Sequence, residues 1–279
     1  MYNVRMLSAI RRSDNKKVLA REEAKSNQPF FCPECNDDTI LKKGRIKAHH
    51  FAHKPPVTCE YGLGETEQHR RCKMEIYDGL VCHSRFANCE IERGMGTVRP
   101  DIYACMDGIQ IAIEVQLSTL TLDNIIYRTS EYAKKGIYVL WLSIYTDALK
   151  NDKYSPRLWE RWVHAASFGR VYYWIGGLDM VPIHFDDYQL RIEEHSWSDR
   201  NGLHWIPGHD KLSKRYKTPN HGRRVNICDS LIPKHRLEPL SGRIPIPEAR
   251  LLIDSQPEWW PCDPSTLYFV GAEESDYAW

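Results

Sequence analysis

Two acidic residues and one amide, Asp101, Glu114 and Gln116, lie in a largely apolar stretch of the sequence, and their side chains could do chemistry. Residues 109–118 read IQIAIEVQLS, an alternation typical of a strand with one face in a core, and Glu114 and Gln116 occupy the other face. Asp101 opens the preceding stretch, which the turn-forming pair Asp107-Gly108 joins to this strand as a hairpin. Carboxylates on adjoining strands can hold Mg²⁺ or Mn²⁺, and such an ion polarises a phosphodiester and activates water. The alternative is that Asp101 ends a turn and Glu114 faces solvent.

A second group of residues has the spacing of zinc ligands. Cys32 and Cys35 form a Cys-x-x-Cys pair, and His50 and His53 follow as a His-x-x-His pair. Two thiolates and two imidazoles satisfy the tetrahedral preference of zinc, and four protein ligands leave no position for water, so the predicted role is structural. A Cys-x-x-Cys pair alone also occurs in redox sites or by accident. Two neighbouring residues stay open as alternative ligands, His49 and Cys59.

The elements that must position these residues predict an α/β (α+β) fold, a mixed sheet flanked by helices. After residue 60 the predicted order is helix, hairpin, helix, strand, helix, strand. Residues 1–60 are expected to form a hairpin and the zinc-binding module, residues 61–190 the main domain, and residues 191–279 an irregular region rich in Pro, Gly, Asn and Asp. Four tryptophans are expected in the core, with stacking on bases as the alternative: Trp141, Trp159, Trp162 and Trp174.

Composition and charge limit the class of protein. The chain of 279 residues is 42% hydrophobic and 27% charged, which is ordinary for a globular protein. The polar start predicts a cytoplasmic protein without a signal peptide or membrane span, whose nine cysteines are reduced or metal-bound. Residues 211–250 hold 10 Lys+Arg against 3 Asp+Glu, and residues 251–279 hold none against 6. This basic block, with Arg223 and Arg224, is a candidate contact for DNA phosphates, and the alternative is two solvated surfaces of opposite sign.

The motifs together carry a resemblance. The hairpin RPDIYACMDGIQIAIEVQLS resembles the Asp…Glu-x-Lys core of the PD-(D/E)XK nuclease superfamily, with Glu-x-Gln in place of Glu-x-Lys. A longer run is similar to the competence CoiA-like family, from FFCPECNDDTILKKGRIKAHHFAHK through GETEQHRRCKMEIYDGL and the hairpin to IIYRTSEYAKKGIYVLWLS. The resemblance implies a restriction-endonuclease-like core and Mg²⁺- or Mn²⁺-dependent hydrolysis of DNA. It also implies a setting in DNA uptake, recombination or defence against foreign DNA, with proteins of those processes as partners.

The resemblance assigns roles residue by residue. Asp101 and Glu114 match the metal-binding carboxylates of the family, and Glu65 and His69 match the acidic residue and the histidine on the helix ahead of the hairpin. Lys73 lies four residues beyond His69, so these side chains share one helix face. The alternative is an exposed surface with ordinary i,i+4 pairs.

Gln116 stands where a lysine usually orients the attacking water. An amide can orient water but carries no charge, and Lys73 is a candidate to supply that charge. Arg128, on the next helix, would suit a DNA phosphate, with a surface ion pair as the alternative. Two hypotheses follow: a metal-dependent nuclease, and a non-catalytic DNA-binding accessory protein for recombination that uses the same fold.

Overall fold

The computed structural model describes residues 6–45, 48–56, 59, 61, 65–116, 120–200, 202–237 and 245–255. Its strands are β1 Ser8–Arg11, β2 Lys17–Leu19, β3 Phe30–Phe31, β4 Asp38–Lys42, β5 His50–His53, β6 Phe86–Ile91, β7 Ile102–Met106, β8 Ile109–Gln116, β9 Tyr138–Ile144, β10 Val171–Gly176, β11 Asp179–Ile192, β12 His195–Asp199, β13 Gly202–Ile206, β14 His209–His221, β15 Val225–Asn226, β16 Leu231–Arg236 and β17 Ala249–Asp254. Its helices are α1 Glu67–Val81, α2 Leu122–Lys134, α3 Leu158–Ala166 and α4 Ile227–Ser230, with short 3₁₀ turns at Lys25–Asn27 and Asp147–Lys150.

The strands β1 to β5 form a small antiparallel sheet in the order β2-β1-β3-β4-β5. The predicted N-terminal hairpin is confirmed by the pairing of β1 with β2, and its turn contains Asn15 at φ +54°, a left-handed conformation that Asn tolerates. Phe30, Leu41 and Phe51 are buried between these strands. This core fixes β3 and β4, and the cysteine loop, residues 32–37, connects these two strands.

A ten-stranded mixed sheet forms the rest of the framework, with the path β14-β11-β10-β9-β8-β7-β6. The strands β8, β9 and β10 run parallel because α2 and α3 cross over between them, and the other neighbours along this path are antiparallel. The predicted turn at Asp107-Gly108 is confirmed, and both residues have the positive φ that a type I′ hairpin turn requires. The mixed α+β fold, a large sheet flanked by few helices, is therefore confirmed.

Alternation along the central strands builds a core on each face of this sheet. On one face α1 packs Ile76 and Leu80 against Ile111 and Ile113 of β8. On the other face α2 and α3 cover the strands. Full burial of one such aliphatic side chain contributes roughly 2 kcal/mol, so α1 is held firmly against the sheet. The four tryptophans are buried, as predicted for a core role: Trp141, Trp159, Trp162 and Trp174.

The region after residue 191 differs from the prediction. The prediction of an irregular region is wrong for most of its described residues, which form the end of β11, the strands β12 to β17 and the short helix α4. The strand β14 and the part of β11 beyond Phe185 are mostly exposed or half-buried, so they lack the apolar alternation that identifies a strand. Residues 256–279, most of the acidic tail, lie outside the described residues, and the domain boundaries stay predictions. No helix in the described ranges is long and apolar enough to span a membrane.

Candidate functional site

The first turns of α1 and the segment just before it carry three of the predicted site residues. Thr66 caps the helix, because its side chain accepts a hydrogen bond from the backbone N–H of His69 at 3.1 Å. The apolar stripe of α1 faces the sheet, and this orientation turns His69 and Lys73 toward the start of β7, where Asp101 lies. Glu65 immediately precedes the helix and reaches the same place. The predicted common face of Glu65, His69 and Lys73 therefore lies against the sheet and not in solvent.

Glu65, His69 and Asp101 form a cluster in which one ligand atom of each lies within 4.8 Å of the others. His69 Nε2 is 3.4 Å from Asp101 Oδ2, and the same oxygen accepts a hydrogen bond from the backbone N–H of Val115 at 2.9 Å. Glu65 Oε2 and His69 Nε2 are both shielded from solvent, and neither has a hydrogen-bond partner among the described residues. Buried polar atoms without partners are costly, and a cation between them would satisfy both. The donor set therefore fits a divalent metal.

Lys73 is fully buried and is the cationic centre of this site. Its Nζ contacts Glu65, lies 2.7 Å from Glu92 Oε1 and lies 3.5 Å from Asp101 Oδ1. Burial alone would lower the pKa of Lys73, but these carboxylates outweigh it and raise the pKa well above its usual value. Lys73 is thus positively charged and close to Asp101, as predicted, but it does not reach solvent.

The carboxylates of the cluster differ in ionisation. Burial would raise the pKa of Asp101, but the charge of Lys73 and the close approach of the His69 imidazole hold the pKa well below its usual range. Burial raises the pKa of Glu65, with Lys73 opposing the shift. Asp101 is therefore the firmly ionised carboxylate of the cluster at neutral pH.

Glu92 belongs to this site, and sequence reasoning missed it. It follows β6 in a left-handed conformation, φ +53°, and its buried carboxylate accepts hydrogen bonds from Ser8 Oγ at 3.0 Å and from the Tyr61 hydroxyl. Burial would raise its pKa, but Lys73 outweighs burial and the pKa is lowered. The sequence around it, IERGMG, contains no motif that would have identified it.

Glu114 has different partners from Asp101. Its buried carboxylate turns toward α2 and accepts hydrogen bonds from Arg128 and from the Tyr132 hydroxyl. Burial raises the pKa of Glu114 to about 7, although Arg128 opposes the shift, and the charge of Asp101 adds to it. The two predicted carboxylates are therefore electrostatic neighbours, but Glu114 lies outside the cluster with Glu65 and His69.

The remaining predicted site residues lie at different distances from the cluster. Gln116 is buried at the end of β8, where its carbonyl accepts a hydrogen bond from Ser143 Oγ at 3.1 Å. Arg128 pairs with the buried Glu114, so it is not a surface ion pair. Arg223 and Arg224 are exposed in the segment between β14 and β15, which pair with β11, three strands from β8. Arg224 contacts Asp179 there.

The second cluster joins three of the four predicted zinc ligands with an alternative one. Cys32, Cys35, His53 and Cys59 place one ligand atom each within 4.8 Å of the others. Cys32 Sγ lies 4.0 Å from Cys59 Sγ, and Cys35 Sγ lies 3.2 Å from His53 Nε2. Thiolates at about 2.3 Å from one zinc ion lie roughly 3.8 Å apart at tetrahedral angles, so the spacing fits such an ion.

His50 is not part of this cluster, which corrects the predicted His-x-x-His pair. His50 and His53 both lie on β5, where residues three apart point to opposite faces of the sheet. His50 is instead buried on the other face, with Nδ1 2.9 Å from the carbonyl oxygen of Ala48. Burial raises the pKa of Cys35 to about 12, so a bound cation would displace protons from the thiols of this cluster.

Comparison with known proteins follows the same two regions. The family model for the competence protein CoiA N-terminal domain matches residues 13–62, and that for the competence protein CoiA nuclease-like domain matches residues 65–164. Together they span more than half of the chain, which belongs to the CoiA-like family.

One curated relative is competence protein CoiA of Bacillus subtilis (strain 168), which is 32% identical to this chain over 120 residues. The matched region covers 42% of this chain and 32% of the relative, so the chain corresponds to about a third of that protein. No solved structure is significantly similar to this chain.

Proposed function

We propose that this protein is a divalent-metal-dependent nuclease that hydrolyses DNA phosphodiester bonds. The observation that carries the proposal is the half-buried cluster of Glu65, His69 and Asp101 beside the end of β8, inside the region that matches a nuclease-like domain. A metal ion bound there would stabilise negative charge on the phosphate and lower the pKa of a water molecule into the range of a nucleophile. The central hairpin with its flanking α1 and α2 supports a restriction-endonuclease-like core of the PD-(D/E)XK type.

The residues of this site are proposed to have different roles. Glu65, His69 and Asp101 are the proposed metal ligands, and an imidazole among carboxylates suits Mn²⁺ better than Mg²⁺, which prefers oxygen alone. Lys73 holds the carboxylates together by neutralising their charge. Glu114 is a further proposed ligand, which must leave Arg128 and Tyr132 to reach the same ion.

Gln116 is proposed to orient the attacking water, since it follows Glu114 on the same face of β8 and can donate and accept hydrogen bonds. Because this position has no charged side chain, stabilisation of the negative charge that develops on the phosphate would depend on the metal ion. Arg223 and Arg224 are proposed to hold DNA at a distance from the site, where exposed guanidinium groups can bind phosphates.

The second cluster is proposed to hold a structural zinc ion. Three thiols and one imidazole are soft ligands of the kind that zinc takes, and four protein ligands leave no position for substrate or water. The proposed setting is competence, meaning DNA uptake and recombination, or defence against foreign DNA. DNA and proteins of those processes in the cytoplasm are the proposed partners.

A second candidate is a non-catalytic DNA-binding accessory protein. Two observations favour it: Gln116 replaces the usual lysine, and the carboxylate of Glu114 is already bound by Arg128 and Tyr132. Both candidate functions predict DNA binding, but only the first predicts DNA cleavage.

The test is a cleavage assay with single-stranded, double-stranded and branched DNA and with Mg²⁺ or Mn²⁺. We expect the wild type to cleave at least one form and Asp101→Ala to abolish cleavage while DNA binding persists. Asp107→Asn is the matched control, because Asp107 is an exposed residue in the turn of the same hairpin. If the wild type binds DNA but cleaves no form with either metal, the nuclease proposal fails and the accessory role replaces it.

A further inference from the structure

The segment between β6 and β7, residues 92–101, has little regular structure of its own, yet it carries Glu92 at one end and Asp101 at the other. The backbone N–H of Glu92 donates to the carbonyl oxygen of Asp101 at 3.0 Å, so the two ends of the segment are tied together. A displacement of Glu92 is therefore transmitted to Asp101. The contacts that hold this segment therefore determine the position of Asp101, a proposed ligand of the metal cluster.

Side chains from the part of the chain before α1 hold the Glu92 end. Ser8 and Tyr61 donate to the carboxylate of Glu92, and Lys17 Nζ donates to its carbonyl oxygen at 2.6 Å. These contacts offset the left-handed backbone of Glu92, a conformation that is unfavourable for a residue with a Cβ.

The loops of the Cys/His cluster hold the other end. Glu34 lies between Cys32 and Cys35, and its carboxylate accepts a hydrogen bond from Arg99, two residues before Asp101. The Arg99 guanidinium also lies over the ring of Tyr61, 4.4 Å from its centroid, and Tyr61 follows the ligand Cys59 by two residues. Both ligand-bearing loops of the cluster therefore meet at one guanidinium group.

We infer that Glu34 and Arg99 are positioning residues through which the Cys/His centre sets the place of Asp101 in the proposed active site. The inference rests on the proposed function, since it assigns a catalytic consequence to a centre that otherwise only stabilises its module. Oriented contacts behind a metal ligand typically change metal affinity by 10- to 100-fold. Glu34 contacts Arg99 and not the ligand itself, so we expect an effect at the lower end of that range.

The experiment measures Mn²⁺ affinity of the full chain by electron paramagnetic resonance, beside DNA cleavage and zinc content. Glu34→Gln removes the charge that Arg99 meets, and Arg99→Gln cuts the same link from the other side. Arg99→Lys keeps a positive charge and is the conservative variant. Asp38→Asn is the matched control, because Asp38 belongs to the same module and its side chain forms an exposed ion pair with Lys54 at 3.4 Å, away from Arg99.

We expect Glu34→Gln and Arg99→Gln to weaken Mn²⁺ binding about tenfold and to lower kcat by a similar factor, with KM for DNA and the zinc content unchanged. Arg99→Lys should recover part of the loss, and Asp38→Asn should behave as the wild type. If Glu34→Gln also loses zinc, Arg99→Gln decides, because Arg99 lies outside the cysteine loops.

Mn²⁺ binding in Glu34→Gln and Arg99→Gln equal to that of Asp38→Asn overturns the inference, even where the wild type cleaves DNA and the nuclease proposal stands. Weakened Mn²⁺ binding in a protein that cleaves no DNA supports the link while the nuclease proposal fails. A wild type that binds no Mn²⁺ overturns both.

Discussion

Lys73 Nζ lies 2.7 Å from Glu92 Oε1, and both side chains are buried. Breaking a buried ion pair leaves one charge without compensation, so Lys73→Met is expected to lower the free energy of unfolding by about 3–5 kcal/mol. The double variant Lys73→Met with Glu92→Gln should be less destabilised than the sum of the single variants, measured by urea denaturation.

The control for this prediction is Lys54→Met, which removes an exposed ion pair with Asp38 and should cost less than about 1 kcal/mol. Equal effects of Lys73→Met and Lys54→Met would contradict the central role of Lys73.

The zinc content of two variants tests whether Cys59 or His50 is a zinc ligand. Cys59→Ser removes a ligand of the Cys/His cluster, so the zinc bound per chain, measured by elemental analysis, should fall well below one and the N-terminal sheet should lose stability. His50→Asn should retain about one zinc per chain, because His50 lies on the opposite face of β5. The reverse pattern, with zinc lost only in the His50 variant, would restore the His-x-x-His pair.

The ionisation of Glu114 should make stability depend on pH. Its pKa is about 7 in the folded protein against 4.5 for the ordinary group, so the folded state holds this proton more tightly than the unfolded chain. Stability from this residue is therefore present at pH 4.5 and is lost as the pH rises to about 7, by on the order of 3 kcal/mol. Unfolding free energies without added divalent metal at pH 5 and pH 8 should differ less in Glu114→Gln than in the wild type.

Glu193→Gln is the comparison for this pH effect, since Glu193 is exposed between β11 and β12. It should leave the difference between pH 5 and pH 8 unchanged. An identical pH dependence in Glu114→Gln and the wild type would show that Glu114 ionises normally.

Position 116 can be tested by restoring the charge that the superfamily usually has there. Gln116→Lys is expected to retain or raise the cleavage rate, because an ammonium group beside the scissile phosphate stabilises developing charge. Gln116→Leu, of similar size but without hydrogen-bonding groups, should lower kcat about tenfold or more. Equal rates for both variants would remove Gln116 from the reaction, and the accompanying circular dichroism would verify that both fold.

The parts of the structure that the sequence predicts well depend on local patterns. Alternation along Ile109–Gln116 and the Asp107-Gly108 turn both indicate their element through nearby residues, and both are found. The exposed strand β14 lacks such a pattern because neither of its faces is in a core for most of its length. Its pairing with β11 comes from backbone hydrogen bonds, which every residue type can make, except that proline has no N–H to donate.

The site is harder to predict because it depends on contacts between distant residues. The spacing of four identifies Glu65, His69 and Lys73 on one face, and the structure places them together near Asp101. Glu92 has no such signal, since its partner Ser8 lies 84 residues away in the chain. The prediction of the histidine pair fails for a related reason. Residues three apart lie on the same face of a helix but on opposite faces of a strand.

The contacts of Ser8, Lys17 and Tyr61 with Glu92 bear on how related proteins can exchange domains. A chimera that joins residues 65–279 to an unrelated N-terminal module would keep Lys73 beside Glu92 but would lose all three donors, which precede residue 65. The buried carboxylate would then face a foreign surface, and the left-handed backbone at residue 92 would lack the bonds that hold it. The two modules are therefore expected to be inherited and engineered as one unit, with a junction tolerated only outside both.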